Sequence, residues 1–310
     1  MRRSAVTSSI TIYGLILLAL SASIGDAWAD REGRIGELTV RAKLLESALA
    51  EPRFFHAAAS LPDGRVLICG GAKGMLPGLG PVSARPEITS SSDIYDPDTR
   101  RFEPGPRMAI TRMMHTATAL PDGRVAVMGG EGTGTVEIYD PDKNAFVKSG
   151  RLRQPRMYHQ ATLLKNGRIL VSGGIVPNIR NIYGSRRLNV LEVYDPKTGE
   201  STPVADRMTV PRTQHTALRL PDGRVLLIGG TSRDVVDSFD PKTGKVHKAG
   251  QLIQGRRGAA VGLTSKGRAI VAGGDRRGRS LDTVELFDPD RHLSTRLDGR
   301  LDHGTADMVI

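Results

Sequence analysis

Short apolar runs followed by pairs of glycines organise this chain from about residue 50 onward. One such run is Arg224-Val-Leu-Leu-Ile228, which has no alternating polar positions and is followed by Gly229-Gly230. Uninterrupted apolar runs of this length predict strands that are covered on both faces of a sheet. Four of the runs follow a turn sequence, Pro-Asp-Gly-Arg at 62–65, 121–124 and 221–224 and Asn-Gly at 166–167. We expect two-residue hairpins there, because Asp-Gly and Asn-Gly tolerate the positive φ angles of such turns.

Each run is part of a longer unit that occurs five times. The unit reads Arg-x-x-His, an apolar stretch, a tight turn, a run ending in Gly-Gly, a variable loop, and an acid-x-aromatic-Asp-Pro element, with Ala259 replacing the histidine in the fifth copy. Four short strands repeated at roughly 50 residues are typical of a β-propeller blade. The predicted repeats span about 50–107, 108–151, 152–207, 208–252 and 253–297, with a partial sixth at 300–310 that begins with Arg300 and His303.

The Gly-Gly pairs and the acid-x-aromatic-Asp-Pro elements together resemble the kelch repeat family over about residues 50–297. The resemblance implies an all-β, kelch-type β-propeller, related in fold to the central domain of galactose oxidase. We predict five four-stranded blades plus an incomplete sixth built from both termini, with residues 36–43 and 303–310 supplying strands. A ring of five blades with extra strands is the alternative. Blades of the kelch family usually carry a tryptophan in the fourth strand, and here Phe102 and Phe146 stand near that place. The smaller rings predict lighter packing between the blades.

The first 29 residues have the organisation of a signal peptide. A basic start at residues 2–3 precedes an apolar run over about residues 10–24, and Ala27-Trp28-Ala29 supplies a small-x-small cleavage motif. The apolar run is shorter than the roughly 20 residues of a membrane span. We therefore expect cleavage between Ala29 and Asp30, and a secreted or periplasmic protein with one domain over 30–310 and no membrane span. An uncleaved anchor is the alternative.

The net charge, the single cysteine and the low aromatic content limit which partners and which metal or disulfide sites this chain can have. The formal net charge is +11, which favours anionic partners. Cys69 is the single cysteine, which excludes a disulfide within the chain and a cysteine-rich zinc site. Aromatic residues make up 4% of the chain, so the stacking platforms of single-strand binding proteins are missing and no nucleic acid partner is expected.

Residues that recur in every repeat are interpreted as structural. An arginine before the first strand recurs together with an acid on the third strand, and an unpaired charge between blades would cost several kcal/mol. The predicted ion pairs are Arg112–Glu137, Arg156–Glu192, Arg212–Asp237 and Arg256–Glu285. Histidines at one repeat position are expected to stabilise the blades by hydrogen bonds rather than to share a metal ion, and they are His56, His115, His159, His215 and His303.

The loops between the second and third strands vary most between the repeats. They are expected on the same face of the propeller as the Arg-x-x-His segments that connect one blade to the next. Because these segments are rich in arginine, we predict a basic face on a non-catalytic scaffold that binds a protein or an anionic glycan. No cofactor, metal or catalytic residue is predicted. The candidate ligand-binding residues are Arg112, His115, Arg156, Tyr158, His159, Arg186, Arg187, Arg212, His215, Arg276 and Arg277.

Two enzymatic alternatives follow from the resemblance. Kelch-like propellers that epimerise or mutarotate sialic acid share the fold and a cationic funnel, and their chemistry needs an acid–base residue facing the substrate. Tyr158-His159 resembles the adjacent Tyr and His that bind copper in galactose-oxidase-like enzymes. Those enzymes also need a second Tyr and a cross-linked Cys at matching positions, where this chain has Phe55, Met114, Gln214, Gly258 and Asp302. A copper oxidase is therefore the least favoured alternative.

Overall fold

Every regular element in the computed structural model is a β-strand, over the described residues 47–73, 86–176 and 185–301. The strands form five four-stranded antiparallel sheets, here called blades 1–5, and three two-stranded ribbons. The predicted all-β propeller with five four-stranded blades is confirmed. The segments 36–43 and 303–310, predicted to build an incomplete sixth blade, lie outside the described residues. The described part of the chain contains no helix able to cross a membrane.

The first two blades contain strands of four to seven residues. Blade 1 consists of β1 (Ala57–Ser60), β2 (Val66–Cys69), β5 (Ser92–Asp96) and β6 (Arg101–Pro104). Blade 2 consists of β7 (Thr116–Ala119), β8 (Val125–Met128), β9 (Thr135–Asp140) and β10 (Ala145–Arg151).

The last three blades repeat this order, with outer strands of seven or eight residues. Blade 3 consists of β11 (Gln160–Leu163), β12 (Ile169–Ser172), β15 (Val190–Asp195) and β16 (Glu200–Arg207). Blade 4 consists of β17 (His215–Arg219), β18 (Val225–Gly229), β19 (Val235–Asp240) and β20 (Lys245–Gln251). Blade 5 consists of β21 (Ala260–Leu263), β22 (Ala269–Ala272), β25 (Thr283–Asp288) and β26 (Leu293–Arg300).

Three ribbons occupy the loops between the second and third strands of blades 1, 3 and 5. They are β3 (Ala72–Lys73) with β4 (Glu87–Ile88), β13 (Ile175–Val176) with β14 (Arg186–Arg187), and β23 (Asp275–Arg276) with β24 (Arg279–Ser280). Because successive strands are antiparallel, the ribbons lie on the same face as the connections between blades. We call this the ribbon face, and we call the opposite face, which carries the turns at 61–65 and equivalent positions, the turn face.

Apolar packing between neighbouring blades explains the uninterrupted apolar runs. In β18, Leu226 and Ile228 pack against blade 5, whereas Val225 and Leu227 pack against blade 3. Both sides of the strand are therefore covered, as predicted. The innermost strands β1, β7, β11, β17 and β21 are neighbours in that order, so the blades surround a common axis.

Blade 5 differs from the blades before it, because its apolar residues alternate in burial. Val271 and Phe287 are buried against blade 4, while Ile270 and Leu286, on the other face of the sheet, are only half-buried. Within the described residues, no further blade covers that face.

The hairpin turns differ from the two-residue turns that the Asp-Gly and Asn-Gly dipeptides predict. The amide of Leu61 donates to the Arg65 carbonyl over 2.8 Å, and that of Gly64 donates to the Leu61 carbonyl over 3.1 Å, so the loop has three residues. Only the glycine has a positive φ, of 87°. The prediction was wrong because a two-residue turn of that type needs a positive φ at both central residues, and here the glycine alone has one. The same bonds join Leu164 to Arg168 and Gly167 to Leu164, where Lys165 stands in place of the proline.

The predicted sixth repeat beginning at Arg300 is also wrong. Arg300 is the last residue of β26 and pairs with Thr283, as Arg151 pairs with Thr135 at the end of β10. The next residue, Leu301, donates its amide to the Asp282 carbonyl over 2.8 Å, as Leu152 does to Gly134 over 2.7 Å. Arg300 therefore corresponds to the end of a fourth strand. In blade 3 the recurrent arginine, Arg156, stands five residues after Arg151, whereas the corresponding part of the chain after Arg300, including Asp302 and His303, lies outside the described residues.

The Gly-Gly pairs allow one blade to approach the next within hydrogen-bonding distance. A Cβ atom added to Gly229 would lie 2.8 Å from the carbonyl oxygen of Arg256, and φ at Gly229 is +71°. The amide of the second glycine, Gly230, donates to that same carbonyl over 2.8 Å. A side chain on the first glycine would separate the blades at this hydrogen bond.

We predict that Gly229→Ala lowers the free energy of unfolding by about 2–4 kcal/mol, since it adds a steric clash to the cost of a left-handed alanine. Gly267→Ala is the matched control, because Gly267 has φ +74° and no atom within 4 Å of an added Cβ. The control should lose only about 1–2 kcal/mol in urea unfolding. Equal losses in the two variants would contradict the steric role of the Gly-Gly pair.

Candidate functional site

The recurrent arginine of each repeat is buried and bonded to its own blade, although the Nε atoms of Arg112 and Arg156 have no hydrogen-bond partner among the described residues. Arg212 is 0% exposed and donates through Nη1 to the Gly229 carbonyl over 2.7 Å. Its Nη2 donates to the Val235 carbonyl and to Asp237, each over 2.8 Å. Burial lowers the pKa of Arg212, and the attraction of Asp237 opposes that shift. The guanidinium thus joins the second strand to the third inside blade 4.

The other predicted ion pairs have the same geometry. In each, an arginine nitrogen approaches the acid of the third strand, and the arginine also donates to the first glycine of its own blade. The structure brings together Arg112 and Glu137 at 2.9 Å, Arg156 and Glu192 at 2.5 Å, and Arg256 and Glu285 at shorter range. In blade 1, Arg53 and Asp93 form a further pair of this kind at 2.6 Å.

The backbone of the same arginine bonds to the preceding blade. The carbonyl of Arg212 accepts the amide of Gly174 in blade 3 over 2.8 Å. Equivalent bonds run from Gly71 to Arg112 over 2.7 Å, from Gly130 to Arg156 over 2.9 Å and from Gly230 to Arg256 over 2.8 Å. Each arginine therefore connects two blades.

Three recurrent histidines also contact the blade before their own. His215 Nε2 lies 2.8 Å from Ser172 Oγ, and His159 Nε2 lies 3.1 Å from Thr116 Oγ1. His115 Nε2 lies 3.7 Å from the Cys69 sulfur. Burial lowers the pKa of His159 and of His215 to about 3, so both imidazoles are neutral at physiological pH.

The sequence-based ligand candidates divide into two groups. Six of them are buried and bonded within the scaffold, and these are Arg112, His115, Arg156, His159, Arg212 and His215. Tyr158 is half-buried on the ribbon face. The remaining four, Arg186, Arg187, Arg276 and Arg277, are exposed in or beside the ribbons. Only this second group and Tyr158 face a surface that a ligand reaches.

Five residues form a ring around the axis at the ribbon face, which we call the mouth ring: Phe55, Met114, Tyr158, Gln214 and Gly258. Each has a left-handed backbone, with φ between 54° and 59°. The amide of each bonds to the carbonyl of the one before, from Met114 to Phe55 over 2.9 Å, Tyr158 to Met114 over 3.0 Å, Gln214 to Tyr158 over 3.2 Å and Gly258 to Gln214 over 3.1 Å. These bonds hold non-glycine residues in a conformation that costs about 1–2 kcal/mol each.

The mouth ring is apolar on one side and polar on the other. Phe55 and Tyr158 meet edge to face with ring centroids 5.9 Å apart, and Met114 lies between them in the ring order. Gln214 and Gly258 follow Tyr158 in the ring order, and Gly258 is preceded by Arg257. Arg257 has a buried Nε with no hydrogen-bond partner among the described residues. The sequence identified the ring positions by repeat alignment but carried no signal for their backbone conformation.

Comparison with known proteins supports this architecture. Residues 156–208, which contain blade 3, match the family model described as the Kelch motif. The chain folds as a kelch-repeat β-propeller. No curated protein matches the sequence.

Two solved structures are similar to the propeller. A fungal alcohol oxidase, described as having catalytic diversity among the AA5 family and solved in complex with copper, aligns with a TM-score of 0.63 and 21% identity over 81% of this chain and 54% of its own. YjhT aligns with a TM-score of 0.62 and 18% identity over 83% of this chain and 87% of its own. The propeller spans about half the length of the oxidase. At these identities the likeness establishes the fold alone.

The residues of this propeller do not fit a copper site of the kind that the resemblance suggests. His159, which follows Tyr158 in the chain, is buried, and its Nε2 lies beside the hydroxyl group of Thr116. Cys69 is also buried, and burial raises the pKa of its thiol to about 12. The described residues contain no group of three histidine, cysteine or acidic side chains placed to hold a metal ion. No step of chemistry is therefore derived through copper.

We predict that Arg212→Met lowers the free energy of unfolding by about 3–5 kcal/mol, because it leaves the buried carboxylate of Asp237 without its cation. Arg224→Met is the matched control, since Arg224 pairs with Asp222 at the exposed turn face and should lose less than about 1 kcal/mol. Chemical denaturation measures both values. The double variant R212M/D237L should recover part of the loss, and a single variant as stable as the parent would contradict the structural role.

We also predict that acid weakens the propeller through its buried histidines. The folded-state pKa of His159 is lowered to about 3, whereas an unfolded histidine titrates near pH 6.5, so the unfolded state binds more protons in between. Stability should therefore fall as the pH decreases below about 6.5, by up to about 1.4 kcal/mol per pH unit for each such histidine.

Denaturant unfolding between pH 7 and pH 5 tests this dependence with few carboxylates titrating. His159→Gln should show a shallower loss than the parent, while His247→Gln, which changes an exposed histidine, should show the parental slope. Identical slopes in all three proteins would be incompatible with a neutral buried imidazole.

Proposed function

We propose that this propeller is a non-catalytic binding scaffold whose ribbon face engages an anionic ligand, either a protein or an acidic glycan. We further propose that it acts outside the cytoplasm, after cleavage between Ala29 and Asp30. The proposal rests on how the cations of the two faces are paired.

Three arginines on the turn face pair with aspartates of their own turns. Arg65 pairs with Asp63 at 2.7 Å, and Arg124 pairs with Asp122 at 2.7 Å. Arg224 pairs with Asp222 at 2.6 Å in the same turn geometry. Each of these pairs comes from the Asp-Gly-Arg turn sequence, so the charge of the arginine is largely cancelled where it stands.

Cations on the ribbon face lack such partners. Arg186, Arg187, Arg276 and Arg277 are exposed and form no ion pair with a described carboxylate. Lys73 is the exception, since it bonds to Glu51 at 2.7 Å. An excess of unpaired positive charge on the ribbons attracts anions and raises their local concentration. This contrast is the observation that carries the proposal.

The recurrent residues already have hydrogen-bond partners within the propeller, and this supports a binding role for the variable loops. The buried arginines and histidines contact glycines, acids and the neighbouring blade, and thus have partners without a ligand. Residues that differ between blades, chiefly those of the ribbons, remain for recognition.

The variant R186S/R187S/R276S/R277S tests the proposal with heparin as the polyanion and neutral dextran as the negative control. We expect the parent to bind heparin with an affinity that falls as salt is raised, and the variant to bind about tenfold or more weakly. The matched control R65S/R124S/K143S/R224S removes four cations that pair with aspartates on the turn face, and it should bind within about twofold of the parent.

Two results would contradict the proposal. One is an equal loss in both quadruple variants, which would show that net charge rather than the ribbon face governs binding. The other is turnover of N-acetylneuraminic acid, followed by NMR at catalytic amounts of protein, which would establish an epimerase or mutarotase instead of a binding scaffold.

A further inference from the structure

We propose that an open cleft at the boundary of blades 4 and 5 is a subsite for one carboxylated sugar unit. This inference rests on the proposed binding function and assigns the ligand class for one part of the ribbon face. The cleft is separate from the mouth ring, because one of its walls is Lys248 on β20, the outermost strand of blade 4.

The cleft has the dimensions of a small-ligand site. Its volume is about 350 Å³, near the lower end of the range of about 300–1,000 Å³ for such sites. Its walls come from the short loop at 231–234 of blade 4, from β20, from the connection that contains Ile253 and from the ribbon of blade 5. This size favours a single sugar unit over a peptide, which buries a larger surface.

Three cations line the cleft without carboxylate partners. Arg233, Lys248 and Arg276 are exposed, and none of them pairs with a carboxylate in the described part of the chain. Asp234 is the single acid on the walls. Arginine presents a planar fork of donors that matches a carboxylate in a bidentate manner. Two arginines therefore provide the means to hold a carboxylate, and the excess of positive charge selects for one.

The remaining wall residues suit the rest of a sugar. Ile253 is 49% exposed and is one of three large apolar side chains exposed among the described residues. Its aliphatic surface can cover the C–H face of a pyranose ring, and Ser232 supplies a hydroxyl group that can exchange hydrogen bonds with sugar hydroxyls. Apolar contact with a small number of placed polar groups is the usual composition of a ligand pocket.

Comparison with the boundary of blades 2 and 3 shows that the two arginines are not part of the repeat. The loop of blade 2 has the same length, and Lys148 faces Glu137 on β9 as Lys248 faces Asp237 on β19. Thr133 and Val176, however, stand where blades 4 and 5 have Arg233 and Arg276. The scaffold thus accepts uncharged residues at both positions, and the two arginines serve something other than folding.

The test uses trigalacturonic acid as the probe and its fully methyl-esterified form as the uncharged comparison. We expect the full propeller to bind the acid about tenfold or more tightly than the ester in calorimetric titrations. The variant R233T/R276V takes its side chains from the matching positions of blades 2 and 3, and it should lose about tenfold or more in affinity for the acid. The control R65T/R124V removes two cations from the turn face and should bind within about twofold of the parent.

Each outcome separates this inference from the proposed function. If R233T/R276V binds the acid as the parent does, the subsite is overturned, and heparin binding through the ribbons is unaffected. The subsite is also overturned if the parent binds heparin but not the trisaccharide. It is overturned as well if R233T/R276V loses binding of a polyglutamate peptide but still binds the trisaccharide. If the parent binds neither heparin nor the trisaccharide, the proposed function fails as well.

Discussion

The contacts of the buried arginine between neighbouring blades are the interaction on which the propeller depends. Its guanidinium satisfies a carboxylate and two carbonyls of its own blade, while its carbonyl accepts an amide from the blade before. Arginine suits this position because five donors in a planar fork reach several acceptors at once. The first glycine of each pair is required for the same contact, since a Cβ at Gly229 would meet the carbonyl of Arg256. The acid, the arginine and the glycines therefore form one structural unit.

Stability and recognition are assigned to different residues in this architecture. The recurrent polar side chains are buried and paired, so the blades hold their positions without a ligand. Three turn-face arginines are paired by the aspartates of their own turns, as in Arg65 with Asp63. On the ribbon face, Arg186 and Arg276 are exposed on two-stranded ribbons and pair with no described carboxylate. A scaffold of this kind can change its ligand by changing the exposed residues of its loops, while buried loop residues such as Leu188 keep their bonds to the next blade.

Much of the fold could be predicted because its signals are local and repeated. Gly-Gly pairs and apolar runs occur in every blade, and the ion pairs follow from an arginine and an acid that recur together. The errors arose where one short motif was read without its surroundings. Arg300 and His303 match the start of a repeat, yet the pairing of Arg300 with Thr283 places that arginine at the end of a fourth strand. Asp63-Gly64 indicated a two-residue turn, but the structure has a three-residue loop with a single left-handed glycine, and the same loop forms between Leu164 and Arg168 without a proline.

By itself, the sequence determined the number of described blades, the strands within each blade and the partners of the buried charges, because each depends on spacing along the chain. Only the tertiary structure decided the mouth ring, in which Phe55, Met114, Tyr158 and Gln214 adopt a left-handed backbone. Such residues carry no local preference for that conformation, and hydrogen bonds from neighbouring blades impose it. Arg233 and Arg276 are likewise far apart in the chain, yet both line the cleft between blades 4 and 5. They come together only when the two blades pack against each other.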